Sequence, residues 1–232
     1  MDEEWRTVFL MRSETDEFRK RLAETQDIIK QAFNEFKKPY VAYSGGKDSL
    51  VLLHLVLQYG PYITVFHWDY GPYYIPRKIE ARIIQIAREI GAKNIVVKTS
   101  RLYEKYKRNA QNVLGRVLLG IIVPQMAKEG YDACFLGLRA EESIKRKLRT
   151  RKFFERGTYM THVFPLKNWT WLDVWAYIIS KNLPYLKEHY DKYAKVLGYN
   201  HTRFVTYFDK EFEKFGSSNI DGILNWKFKH ND

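Results

Sequence analysis

Cysteine is almost absent from this chain, and its single residue, Cys134, excludes an intramolecular disulfide and any CxxC metal or redox pair. No apolar run approaches the roughly 20 residues that a membrane-spanning helix needs. The first residues lack the basic and then apolar order of a secretory signal. Internal repeats and Gly/Ser/Pro-rich linkers are also missing. These absences predict a cytoplasmic protein with no membrane partner.

The composition indicates a packed domain with anionic partners. Apolar residues make up 45% of the 232 residues and aromatic residues 16%, which excludes disorder as the main state. Lys and Arg number 39 against 27 Asp and Glu, so the formal net charge is +12. Charge of this sign favours anionic ligands but does not say which anion is bound.

Strand and helix patterns alternate along most of the chain. An amphipathic helix is predicted from Glu14 to Lys38, where Pro39 ends it. Five strands are predicted, at residues 40–43, 62–67, 94–98, 132–136 and 161–164, with helical sequence between them. This order predicts an α/β fold, with a Rossmann-like, open, mostly parallel five-stranded sheet and helices on both faces. We divide the chain into an N-terminal helical segment (1–38) packed on the core, a nucleotide-binding domain (39–182) and an aromatic, basic C-terminal extension (183–232) of helical or irregular structure.

A polar, glycine-containing loop follows the first strand. Its residues are Ser44, Gly45, Gly46, Lys47, Asp48 and Ser49. Adjacent glycines let the backbone approach an anion closely, and the following helix presents free N–H groups to it. Lys47 adds a positive charge, whereas Asp48 would repel phosphate unless it binds Mg²⁺ or caps the helix. We predict a polyphosphate with Mg²⁺ at this loop; the alternative is a plain strand-to-helix turn.

Two other phosphate-binding patterns are absent. The chain has neither GxxxxGK[ST] nor GxGxxG, which argues against a P-loop NTPase and a dinucleotide-dependent dehydrogenase. Residues 43–49 instead resemble the pyrophosphate-binding loop of the ATP pyrophosphatase superfamily, SGGxDS. Within it, the chain resembles the phosphoadenosine phosphosulfate (PAPS) reductase and ATP sulfurylase small-subunit family. Residues 137–143 are similar to its GLRxxES element, residues 164–178 to its PL…W…DVW.YI stretch, and residues 183–185 to the turn that follows.

The resemblance implies an ATP-cleaving adenylyltransferase that breaks the bond between the α and β phosphates and releases pyrophosphate. It implies that Ser44, Gly45, Gly46, Lys47, Asp48 and Ser49 hold the β and γ phosphates, with Asp48 on Mg²⁺. Asp69, at the end of the second strand, would flank the adenosine. Lys47, Asp48 and Arg139 would be the catalytic residues, and ATP and Mg²⁺ the bound cofactors. A GTPase partner subunit is implied for relatives of the sulfurylase type, and a homodimer is the alternative.

A basic segment runs from Arg139 to Arg156, with eight basic and three acidic residues, about +5 in all. Arg139 directly follows the fourth strand, so it should reach the same sheet edge as the loop and grip an α phosphate or a sulfate. For the remainder, a mobile lid, a nucleic-acid contact and a solvated face all stay open.

Three functions remain after this reading. Sulfonucleotide reductases use a C-terminal cysteine thiolate, but Cys134 lies in an apolar strand, where a thiol is unreactive. Adenylyl transfer is therefore the first hypothesis, with the acceptor (sulfate, a flavin mononucleotide or nucleic acid) left open. The alternatives are a PAPS or adenylyl-sulfate reductase-like protein and a nucleic-acid-modifying protein of the same fold.

Overall fold

The computed structural model describes residues 1–107 and 110–202. The chain begins with helices α1 (Glu3–Ser13) and α2 (Asp16–Glu35). Alternating strands and helices follow: β1 (Pro39–Ala42), α3 (Lys47–Leu57), β2 (Thr64–Asp69), α4 (Arg77–Glu89) and β3 (Asn94–Thr99). Next come α5 (Leu102–Tyr106), α6 (Ala110–Val117), a π-helical turn (Leu118–Ile122) and α7 (Val123–Lys128). The described chain ends with β4 (Ala133–Phe135), α8 (Ile144–Arg149), β5 (Phe154–Arg156), β6 (Thr161–Val163), α9 (Trp171–Ser180) and α10 (Lys187–Leu197).

The strands form one sheet in the order β3-β2-β1-β4-β6-β5. All neighbouring pairs are parallel except β5 with β6, which is antiparallel. The chain moves outward from β1 through β2 to β3 and then returns to the other side of β1 with β4. The strand order therefore reverses between β1 and β4, and open α/β sheets bind ligands at the carboxyl ends of strands at such a point.

Strand side chains alternate between two apolar clusters, one on each face of the sheet. Val41 and Val65 join the larger cluster, which α2, α3, α4 and α9 cover. Tyr40 and Phe66 point to the smaller cluster, to which α6, the π-helical turn and α7 contribute. Both faces of the sheet are thus packed, as expected for a parallel sheet.

The predicted α/β fold is confirmed, with differences in detail. The sheet has a sixth strand, β5, which the sequence did not predict because its three residues, one half-buried and two exposed, carry no apolar pattern. Helix α1 lies in the predicted N-terminal helical segment, but the sequence analysis did not give it bounds of its own. The helical sequence predicted between the third and fourth strands is interrupted at Lys107, whose φ is 43°. The three-part division of the chain stays a prediction, and its last part lies mostly outside the described residues.

The N-terminal helices pack beside α9. Asp173, in the first turn of α9, is fully buried and pairs with Arg12 of α1 and Arg21 of α2. In the described part of the chain, no helix has the length and apolar character to cross a membrane.

Candidate nucleotide-binding site

The loop from Ser44 to Ser49 leaves the carboxyl end of β1, the central strand beside the reversal in strand order. Gly45 has a φ of +83°, and a Cβ added there would lie 2.6 Å from Cγ1 of Ile83 on α4. Gly137, after β4, is also closely packed, since a Cβ added there would lie 3.1 Å from the backbone of Asp48. Glycine at both positions lets α4 and the β4 loop close around the start of α3.

Two serine hydroxyls brace this loop. The backbone N–H of Ser44 donates to Oγ of Ser49 at 3.2 Å, and that hydroxyl donates to the carbonyl of Gly46 at 2.9 Å. The two serine Oγ atoms are 3.1 Å apart. Ser44 and Ser49 therefore hold the turn shape, and the helix start that follows has no side-chain cap from its N-cap residue, Gly46.

The three residues predicted to be catalytic lie together. Lys47 Nζ is 3.1 Å from Oδ2 of Asp48, and Nε of Arg139 bonds to Oδ1 of the same carboxylate. Lys47 and Arg139 are each only 4% exposed. Burial alone would raise the pKa of Asp48, but the two cations outweigh it and hold that pKa well below its usual range. The site thus holds a carboxylate between two buried cations.

The C-terminal segment covers the loop in a way that the sequence did not predict. The backbone N–H of Lys47 donates to the hydroxyl of Tyr190 on α10 at 3.0 Å. The Lys47 ammonium also reaches the carbonyl of Thr202 at 3.4 Å. Tyr190 and Thr202 are far from the loop in sequence, and a tyrosine in an aromatic-rich tail carries no local signal of this contact.

A cavity of about 500 Å³ opens beside the loop. Five of the six predicted loop residues line it, namely Ser44, Gly46, Lys47, Asp48 and Ser49. Much of its wall is aromatic or aliphatic and includes Tyr40, Phe66, Trp68, Tyr70, Leu118 and Leu136. Trp68 lines the cavity, and its buried Nε1 has no hydrogen-bond partner among the described residues. The cavity is thus charged beside the loop and apolar elsewhere, a combination that suits an organic phosphate.

Asp69, predicted to flank the adenosine, is not among the residues lining this cavity. Both of its carboxylate oxygens accept from Arg77, at 2.8 and 2.7 Å, and one also accepts from the backbone N–H of Gly71. Burial would raise its pKa, but these hydrogen bonds lower it. Asp69 thus braces the turn between β2 and α4, and its role in nucleotide binding stays a prediction.

Magnesium coordination has little support from the donors present. Both oxygens of Asp48 are already engaged by cations, and the described residues contain no group of three His, Cys, Asp or Glu side chains able to hold a metal. Magnesium beside a nucleotide is usually held by one or two carboxylates together with phosphate oxygens, and the Asp48 carboxylate would have to leave one of its two cations to take part. The residues therefore do not fit the ion on their own, and magnesium binding by Asp48 stays a prediction.

The basic segment divides between the cavity and solvent. Arg146 and Arg149 of α8 line the cavity, and Arg146 pairs with Glu142. Lys145 and Lys147 of the same helix are exposed. Part of the segment is thus placed beside the predicted ligand, and part faces water.

Cys134 lies in β4 and is buried. Burial raises the pKa of its thiol to about 12. A thiol with this pKa is almost entirely protonated near neutral pH, so it is a weak nucleophile.

Comparison with known proteins gives consistent matches. A family model described as phosphoadenosine phosphosulfate reductase domain matches residues 38–204. Sulfate adenylyltransferase subunit 2 of Sulfurovum sp. is 29% identical over 228 residues, covering 84% of this chain and 74% of the relative. Adenosine 5'-phosphosulfate reductase of Bacillus mycoides is 28% identical over 196 residues, covering 81% of each.

Two further matches concern length and fold. An uncharacterized protein of Methanocaldococcus jannaschii is 31% identical over 173 residues, but the match spans only 35% of that longer protein. The crystal structure of PAPS reductase from Candida auris, a phosphate complex, superposes with a TM-score of 0.53 at 16% identity. It covers 81% of this chain and 91% of that one, and at this identity it establishes the fold alone.

Proposed function

The chain belongs to the phosphoadenosine phosphosulfate reductase domain family, and we propose that it binds ATP and transfers AMP to an acceptor with release of pyrophosphate. The observation that carries this proposal is the placement of Lys47 and Arg139 on opposite oxygens of Asp48, at the start of α3. Phosphate oxygens entering this cluster would meet two cations and the positive end of a helix.

The proposed reaction would use that arrangement of charges. An acceptor oxygen attacks the α phosphorus, a new P–O bond forms, and the bond to the bridging oxygen of the β phosphate breaks, so that pyrophosphate leaves with the bonding electrons. Lys47 and the N-terminal N–H groups of α3 would stabilise the charge that develops on pyrophosphate, and Arg139 would hold the α phosphate. Catalysis of this kind depends on fixed charges and does not require a protein nucleophile.

A reductase is less well supported, although the Bacillus mycoides relative carries that name. Thiol-based reduction needs a reactive thiolate. The sequence has one cysteine, and the pKa of its buried thiol is raised to about 12. We therefore propose adenylyl transfer as the activity of this chain.

The decisive experiment follows α-labelled ATP in buffer containing Mg²⁺, with sulfate, flavin mononucleotide and tRNA offered as acceptors. We expect pyrophosphate release and labelled AMP on one acceptor. Lys47→Ala and Asp48→Ala should each lower the rate about a hundredfold or more, the usual effect of removing one preorganised charge at such a site. Lys93→Ala is the matched control, because Lys93 is exposed and precedes β3 at the opposite edge of the sheet.

Thermal melting of each variant distinguishes the loss of activity in a folded protein from unfolding of the protein. Unchanged pyrophosphate release in both loop variants would refute the proposal. Reduction of PAPS or adenylyl sulfate by the wild-type protein, lost in Cys134→Ser with the fold retained, would support a reductase instead.

One further observation favours nucleic acid as the acceptor. Lys145 and Lys147 are exposed on α8, whose Arg149 lines the cavity, so an extended polyanion lying on α8 would lead into the site. Such binding should weaken steeply as the salt concentration rises, because counterions are released. No measurable, salt-dependent affinity for RNA or DNA would exclude this acceptor.

A partner subunit is also part of the proposal. The Sulfurovum and Maricaulis maris relatives are named as subunit 2 of sulfate adenylyltransferase, which implies a second subunit for those proteins. If this chain also has a second subunit, it should copurify with another polypeptide when it is isolated from its own cells. A monomer or homodimer with full activity would contradict the extension.

A further inference from the structure

A buried pair of ionisable residues lies behind the phosphate loop. His67 of β2 places Nε2 2.6 Å from Oε1 of Glu80 on α4, and both residues are buried. The other ring nitrogen of His67, Nδ1, is 2.7 Å from the carbonyl oxygen of Tyr43. Nε2 of His67 and both carboxylate oxygens of Glu80 have no partner with hydrogen-bond geometry among the described residues, so the two side chains are in close contact without an aligned hydrogen bond. His67 is therefore the only close polar contact of Glu80 within the part of the chain that the structure describes.

The geometry places a hydrogen on one ring nitrogen of His67. A carbonyl oxygen only accepts, so Nδ1 of His67 carries a hydrogen and donates it to Tyr43. On the other side of the ring, the close contact of Nε2 with Oε1 of Glu80 at 2.6 Å limits how far the ring can turn away from Tyr43. Asp69 and Arg77 pair with each other nearby, and their charges also act on His67 and Glu80, respectively.

This pair acts on one peptide group of the loop. The carbonyl of Tyr43 and the N–H of Ser44 belong to the same peptide plane. His67 holds the carbonyl, and Oγ of Ser49 accepts from the N–H at 3.2 Å. The plane is thus fixed at both ends, at the point where the chain leaves β1 and turns into the phosphate loop.

We propose that His67, held by Glu80, is a positioning residue that orients the Tyr43–Ser44 peptide and so sets the phosphate-binding shape of the loop. His67 does not need to touch the reacting atoms for this role. The inference rests on the proposed function, because it assigns the loop to phosphate binding.

The test uses a matched pair of substitutions in the Glu80→Gln background. The introduced amide can donate to Nε2 of a neutral His67, so E80Q alone should keep both contacts. In that background, His67→Asn retains an amide N–H where Nδ1 stood, whereas His67→Leu has a similar shape and no donor. The two double variants therefore differ chiefly in the hydrogen bond to Tyr43.

We expect H67N/E80Q to bind ATP within about threefold of E80Q, and H67L/E80Q to bind about tenfold more weakly or worse, the effect of one lost buried hydrogen bond. Equal dissociation constants for the two double variants, measured by calorimetry well below their melting temperatures, would overturn the proposal. Rescue by asparagine is the result that a general packing role would not produce.

Amide hydrogen exchange without nucleotide tests the same idea independently of ATP. The peptide covering residues 43–49 should exchange faster in H67L/E80Q than in H67N/E80Q, while α9 exchanges equally in both. Equal loop exchange, or acceleration spread equally to α9, would count against positioning. If the wild-type protein binds no ATP, the proposed function fails, but the exchange comparison still decides whether His67 orients the loop.

Discussion

Substituting Asp173 by asparagine should destabilise the fold strongly, although the change removes only a charge. The side chain is fully buried in the first turn of α9, where it accepts from the backbone N–H and hydroxyl of Thr170. It also pairs with Arg12 at 2.7 Å and with Arg21. Asp173 thus caps α9 and ties both N-terminal helices to it.

The magnitude follows from the partners that remain. Removing one member of a buried ion pair costs about 3–5 kcal/mol, because the other charge is left uncompensated. Arg12 and Arg21 keep partial access to water, with side chains 14% and 23% exposed, and the introduced amide can still cap the helix. We therefore expect Asp173→Asn to lower the free energy of unfolding by about 3 kcal/mol at pH 7.

The effect should depend on pH with a definite sign. Burial raises the pKa of Asp173, but hydrogen bonds from Thr170, Arg12 and Arg21 outweigh it and lower that pKa below its unfolded value. A carboxyl group with a lowered folded pKa contributes stability above its unfolded pKa of about 3.9, and that stability is lost as the pH falls through the folded pKa. The difference between wild type and variant should therefore shrink in acid.

Urea unfolding followed by circular dichroism, at pH 7 and at pH 3, measures both effects. Asp16→Asn is the matched control, because Asp16 is fully exposed in the first turn of α2 and lies 3.8 Å from Arg19. That control should change stability far less than D173N does, because ion pairs between exposed side chains contribute little. A D173N variant within about 1 kcal/mol of wild type at pH 7 would refute the reasoning.

Two other substitutions and one labelling experiment test the site region. Gly45→Ala should lower the free energy of unfolding by about 1–3 kcal/mol and weaken ATP binding in calorimetry, because the φ of Gly45 is +83° and the new Cβ would contact Ile83. Wild-type stability and ATP affinity in this variant would contradict the prediction. Cys134, with a thiol pKa raised to about 12, should resist alkylation at pH 8 until urea unfolds the chain; fast labelling of the native protein would show an accessible thiolate. Arg77→Ala should lower the melting temperature by several degrees, since Asp69 loses two hydrogen bonds; an unchanged melting temperature would show that the pair stabilises nothing.

Much of the fold and part of the site could be read from the sequence. Apolar runs such as those of β1 and β2 follow from local hydrophobic pattern, which the sequence carries directly. The loop from Ser44 to Ser49 was found because its glycines and charged residues are contiguous. Arg139 was expected at the same sheet edge because parallel strands end together, and it does reach Asp48 there.

Other features depend on where distant segments pack. Tyr190 meets Lys47 across 143 positions, and Arg77 engages the carboxylate of Asp69 that the sequence had assigned to the nucleotide. Nothing near His67 in the sequence reveals that its ring joins Glu80 to the carbonyl of Tyr43.

The amino-acid sequence by itself thus determined the α/β fold and the family, and it located the loop for which phosphate binding is predicted, because periodicity and contiguous motifs are local properties. Only the tertiary structure decided which charges are paired. Lys47 contacts one oxygen of the Asp48 carboxylate, and Arg139 contacts the other. The physical reason is that the partner of a polar side chain depends on burial and on a few ångströms of separation, which arise when remote helices and strands pack together.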